Sequence, residues 1–197
     1  MSAALGLMLL AALWLGPLPG LVREGSHAAH MLLHMGVVAF AVPLLCLGLF
    51  RRAPPWLAAR APGVMAATTL IDFAVVWAWH APGLQAAARE SGAVLALEQA
   101  TFALAAALVW LPAVAGPAFA GAAALFMTAM HMTLLGVLIA LAPRALHAGH
   151  EAGIWGLDAL RDQQLGGIVM LVLAGGVYGG AGLWLAAKGL DRREARA

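Results

Sequence analysis

His27-Ala28-Ala29-His30-Met31-Leu32-Leu33-His34-Met35 runs without a break into Gly36-Val37-Val38-Ala39-Phe40-Ala41-Val42-Pro43-Leu44-Leu45-Cys46-Leu47-Gly48. The second part is long and apolar enough to cross a bilayer as a helix. On that helix the three histidines stand at i, i+3 and i+7, within an arc of roughly 60°, on one face. Imidazole is costly in hydrocarbon, so three on one stripe point into the protein or toward water. Imidazole is also the commonest protein metal ligand, and the neighbouring thioethers of Met31 and Met35 shift a site toward soft, reduced ions such as Cu(I). The stripe reads as a metal site at a membrane surface.

The rest of the chain agrees with a membrane setting. Of 197 residues, 63% are hydrophobic and only 10% charged, with a mean hydropathy of +0.91. A soluble domain carries far more charge, so the expected fold is all-α, a polytopic transmembrane bundle formed by the chain 1–197 as one domain. The net charge of +2 gathers at helix ends, which argues against nucleic acid as a partner. One cysteine excludes an internal disulfide and any two-thiolate metal site. Copper, if bound, is held by His and Met.

Apolar segments at roughly 3–20, 27–50, 63–80, 92–111, 118–142 and 165–187 predict about six spans. The first lacks a basic leader and a cleavage site, and Pro17 and Pro19 close it, so it reads as a retained span. Arg51, Arg52 and Arg60 follow span two, and Lys188, Arg192, Arg193 and Arg196 follow span six. Basic loops lie inside, which places both termini inside and the His27–His30 end outside.

Other polar residues fall at matching depths. Counted at 1.5 Å per residue, His34 and Asp72 lie about 10–12 Å below the outer end, Glu98 about 10 Å and His131 about 16 Å. Four polar side chains from four spans thus form one layer, if the helices are neighbours. His131 reads either as a ligand or as the structural partner of Asp72. His80, next to Trp77 and Trp79, reads as interfacial or as a ligand. In the longest loop, His147, His150 and Glu151 either recruit metal transiently or are simply solvated. The following Ile154-Trp155-Gly156-Leu157-Asp158-Ala159-Leu160 suits the outer interface. Asp162 could cap the helix it opens, and Gln163 and Gln164 could orient an outer site. Gly175-x-x-x-Gly179 and Gly176-x-x-x-Gly180 permit close helix packing, within the bundle or onto a second copy.

Three stretches carry a family resemblance. His30-Met31-x-x-His34-Met35 with Pro43-Leu44-Leu45-x-Leu47-Gly48, then Trp79-His80-x-Pro82, then Asp162-Gln163-Gln164-x-x-Gly167, resemble in that order the signatures of the multi-span CtaG family of cytochrome c oxidase assembly proteins. The chain departs where that family tends to carry His-x-x-Glu-His, having Leu95, Glu98 and Gln99 there. The resemblance implies a copper-handling factor of the bacterial inner membrane. His30 and His34 would bind Cu(I), with His27 as third ligand or entry residue and Met31 or Met35 assisting. His80, His131 and Asp162 would complete or flank the site, supported by Asp72, Glu98, Gln163 and Gln164. Implied partners are a haem–copper oxidase subunit and a periplasmic copper carrier. The residues alone supply only a metal; the resemblance supplies the oxidase.

Gly-rich phosphate loops, nucleophile elbows and paired catalytic acids are missing, so the chain reads as a binding and delivery protein and not as an enzyme. Two other functions stay open. A bis-His haem carrier or quinone oxidoreductase would use His34 and His131. A metal or proton transporter would use Asp72, Glu98 and His131, but the inner half of the membrane carries almost no polar residue besides Cys46.

Overall fold

The computed structural model describes residues 1–49, 55–146 and 156–194, with the side chains of 55–62 and 193 excepted. Arg51, Arg52, Arg196, His147, His150, Glu151, Ile154 and Trp155 lie outside the described residues. Every regular element described is helical: α1 (Ser2–Leu15), α2 (Leu18–Arg23), α3 (His27–Met35), α4 (Val42–Leu49), α5 (Pro55–Trp79), α6 (Pro82–Glu90), α7 (Gly92–Ala115), α8 (Ala118–Ala140), α9 (Ala159–Leu173) and α10 (Gly180–Glu194).

Helix α3 joins α4 through a π-helical turn, Gly36–Ala41, to make one continuous span, His27–Leu49. Pro43 accounts for the turn. It lacks an N–H and its ring crowds the carbonyl four residues back, so the ladder re-registers just before it. A second π-helical turn, Ala174–Gly179, links α9 and α10. The two turns face each other: the buried Tyr178 hydroxyl donates to the Val38 carbonyl at 2.9 Å.

Four helices are long and apolar enough to cross a membrane, five when the pair Gly63–Trp79 and Pro82–Glu90, bent by 71°, is counted as one span. The expected first span, 3–20, is broken. Its helix stops at Leu15, because Pro17 cannot continue the ladder, and a six-residue helix follows. At 14 residues α1 is about 21 Å long, short of a bilayer's hydrocarbon core. The bend after Trp79 has the same origin. Pro82 starts α6, and Ala81 before it is extended (ψ 136°), as a residue preceding proline prefers.

Helix α3 sits inside the bundle, packed on α9, α2 and the chain leading into α4, while α5 packs on α7 and α8 packs on α9, α10 and α5. The core runs through Met31, Met35, Val76, Phe102, Met132, Met170 and Tyr178. The close approaches come from glycines other than those expected. A Cβ on Gly167 would stand 2.5 Å from Ala140 N and 2.7 Å from Gly136 O, so α8 and α9 cross backbone to backbone there. Gly176, Gly179 and Gly180 have no atoms within 4 Å of an added Cβ, and of the two Gly-x-x-x-Gly pairs only Gly175 meets a neighbour, Thr133 Cγ2 of α8 at 3.4 Å, an ordinary contact.

Candidate functional site: a histidine cluster under the end of the bundle

Local sequence sets the stripe in place. Gly25, at φ 103°, ends α2 with Ser26 N donating to Leu21 O at 3.0 Å, a left-handed turn that suits glycine. Ser26 then starts α3, its hydroxyl accepting from Ala29 N at 3.1 Å. His27 therefore opens the helix, and His27, His30 and His34 fall on one face as the spacing requires.

The first turn of α3 is held from a distant part of the chain. Asp162 accepts from Ser26 Oγ (2.9 Å), His27 N (2.6 Å) and Ala28 N (3.4 Å). This corrects the expectation that Asp162 caps its own helix. That cap is Asp158, which accepts from Arg161 N at 2.8 Å. Asp162 stands a turn inside α9, faces inward, and satisfies the free N–H groups of α3 instead. Gly166, one turn further, makes room: a Cβ there would meet His27 Cδ2 at 2.5 Å.

All four predicted histidines at this end are buried: His27 (4% exposed), His30 (1%), His34 (0%) and His80 (7%). They lie beneath the surface and not on it. α6 and α9 cover them, and Gln85 Nε2 of α6 donates to His27 Nδ1 at 3.0 Å. The His27 and His30 rings lie 6.4 Å apart. His30 Nε2 pairs with Glu98 Oε2 at 2.8 Å, and Gln99 Nε2 donates to the same oxygen at 3.2 Å. So Glu98 and Gln99, where the family pattern departs, restrain His30 on α3 instead of providing imidazole.

His34 lies deepest. Its ring stands 5.5 Å from that of His80 and 3.9 Å from Phe102, and neither of its nitrogens has a hydrogen-bond partner. His30 Nδ1 is likewise without one. His80 sits at the bend, where its Nδ1 donates to Val76 O at 2.7 Å. That bond fixes the tautomer and leaves the lone pair on Nε2. Met31 and Met35 are fully buried in the adjoining core. Among the described residues, no three His, Cys, Asp or Glu side chains converge as a metal centre as they stand.

The remaining predicted residues divide. His131 Nε2 pairs with Asp72 Oδ2 at 3.1 Å. Asp72 is eight residues from His80 on α5, about 12 Å along the axis, so the expected layer splits into two clusters. His131 pairs with Asp72, the second of the two sequence readings. Gln163 ties the end of α8 to the loop after it: Oε1 accepts from Leu146 N at 2.6 Å, and Nε2 donates to Ile139 O and Arg144 O at 3.4 Å each. Gln164 is half-buried, and its side chain makes no hydrogen bond among the described residues.

Sequence reasoning passed over Ser26, Gln85 and Phe102. Ser26 was legible as a helix cap after Gly25. Gln85 is the one polar residue among alanines on the inner face of α6, and Phe102 is four residues after Glu98, hence on its face of α7. Trp79, half-buried, donates from Nε1 to Thr101 Oγ1 at 2.8 Å and so ties the end of α5 to α7.

A family model described as the cytochrome c oxidase caa3 assembly factor (Caa3_CtaG) matches residues 1–191. No curated protein and no solved structure matches the chain.

Proposed function

We propose that this chain, which belongs to the cytochrome c oxidase caa3 assembly factor family, handles copper for the metallation of a haem–copper oxidase. The observation that carries the copper reading is His34, wholly buried with two unpartnered ring nitrogens beside His80. An unsatisfied buried polar group costs about 1–3 kcal/mol and calls for an explanation. A bound ion supplies one.

In this reading His30, His34 and His80 hold the ion, with His27 as entry residue or further ligand and the thioether of Met31 or Met35 favouring Cu(I). Copper is cargo. Glu98 holds His30 when the ion is gone and competes for it when the ion is present, which suits a protein that must release what it binds. The ligands turn toward the ion on loading, since they do not converge beforehand. The chain performs no reaction of its own. It lies in the bacterial inner membrane with the site toward the periplasm, and passes copper from a periplasmic carrier to an oxidase subunit.

The test is made in a strain lacking this gene. Its oxidase should contain less copper and turn over slowly, restored by the wild-type gene and not by His34→Ala. Normal copper content in the deletion strain would end the proposal.

A further inference from the structure

His27, His30, His34 and His80 are all buried, so an ion reaches them only when one of their covers moves. The two covers, α9 and α6, are held in different ways. α9 is pinned. Asp162 accepts hydrogen bonds from Ser26, His27 and Ala28, and Gly167 crosses α8 backbone to backbone. Moving α9 would unseat the start of α3 with it.

α6 is held lightly. Of its nine residues only Gln85 and Ala88 are buried. Leu84, its one large apolar side chain, is turned outward at 43% exposed. Ala88 brings a single methyl group to the small cluster of Val22, Ala29, Leu33 and Leu95. Apolar stabilisation follows the area buried, so this contact is slight and local opening costs little. The helix also lies between two extended residues, Ala81 and Ser91, and is bent by 71° from α5. Residues at the ends of elements are where rigid pieces swing.

Gln85 supplies the polar tie. Its Nε2 donates to His27 Nδ1 at 3.0 Å, while its Oε1 is buried with no partner. Half of the amide is therefore unsatisfied while α6 is seated, a penalty that water removes when the helix lifts. The bond also acts on the imidazole. A neutral ring that accepts at Nδ1 carries its proton on Nε2, and so has no lone pair left for an ion. Lifting α6 releases Nδ1. One movement thus opens the path and readies the entry residue.

We propose that α6 is a lid, hinged at Ala81 and Ser91 and latched by Gln85 on His27, whose opening admits the ion to the histidines and lets it out. In taking the ion to be copper, the lid rests on the function proposed above.

The test uses the full chain in nanodiscs, wild type beside Gln85→Ala, with hydrogen exchange outside α6 confirming an unchanged fold. Copper-free protein is first treated with diethyl pyrocarbonate, and modification of His30 is followed by mass spectrometry. His30 pairs with Glu98 and not with Gln85, so its reactivity reports access. It should react about fivefold faster in the variant, the effect of one lost hydrogen bond. His131, paired with Asp72 elsewhere in the bundle, should react as before. Capture of Cu(I) and its release to a chelator are then timed anaerobically. Both should quicken by a similar factor, with a smaller change in affinity. Unchanged His30 reactivity in Gln85→Ala overturns the lid. So does faster release with unchanged capture, which would make Gln85 a positioning residue for His27 and nothing more. A wild type that binds no Cu(I), while His30 reactivity still rises in the variant, removes the copper reading and upholds the lid.

Discussion

The carboxylate of Asp162 on α9 closes the N-terminus of the helix that begins at His27, accepting from His27 N at 2.6 Å across 135 positions of sequence. One side chain thereby fixes the register of the histidine stripe against the last long helix. Replacing it with Asn keeps an acceptor but removes the charge that complements the helix dipole. Asp162→Asn should lower stability by about 1 kcal/mol and Asp162→Ala by about 2 kcal/mol or more, since the latter leaves buried N–H groups unmet. Thermal unfolding in one detergent, with wild type alongside, measures both.

The backbone crossing of α8 and α9 gives a sharper contrast. Gly167→Ala puts a methyl group where Ala140 N already stands, 2.5 Å away. It should cost about 1–3 kcal/mol as the helices are pushed apart. Gly176→Ala meets nothing within 4 Å, and the gain in helix propensity should leave stability unchanged or raised by about 0.5 kcal/mol. Equal effects of the two changes would contradict the crossing.

Asp72 and His131 should behave as a unit. Removing one partner leaves the other buried and unpaired, so Asp72→Leu alone and His131→Leu alone should each destabilise by about 3 kcal/mol. The double change should recover most of the loss, because two apolar groups ask for no partner. Additive losses in the cycle would mean the contact at 3.1 Å carries no coupling.

His34 is predicted to oppose stability. With both ring nitrogens buried and unsatisfied, His34→Leu should raise the unfolding temperature of the copper-free protein, by an amount worth about 1–3 kcal/mol. It should at the same time remove copper binding. A residue whose loss stabilises the fold while ending the activity is kept for the activity.

How much of this was legible beforehand varied with the range of the interaction. The helical period put His27, His30 and His34 on one face, and hydropathy located α3–α4, α7, α8 and α9–α10 because a bilayer demands long apolar runs. Proline chemistry at Pro43 and Pro82 accounts for the π-helical turn and the bend. Two local signals were misweighed: Pro17 breaks the first segment and does not merely close it, and Gly176, Gly179 and Gly180 look like a packing motif but meet nothing within 4 Å. The rest depends on which helices touch. Asp162 reads as a cap for its own helix until α9 is seen lying over the start of α3. Depth alone put Glu98, His34, Asp72 and His131 in one layer, but rotation about each helix axis decides that Glu98 meets His30 and Asp72 meets His131.

The central claim is that buried imidazoles of α3 hold copper. Purified protein, first checked for the absence of a haem band, is titrated anaerobically with Cu(I) against a competing chelator, over falling pH. Wild type should retain copper and lose it as pH drops through the imidazole range, because only neutral imidazole is a ligand. His34→Ala breaks no hydrogen bond, so it should stay folded and bind far less copper, and His30→Ala with His34→Ala should bind almost none. A folded double variant that retains copper as the wild type does would contradict the account.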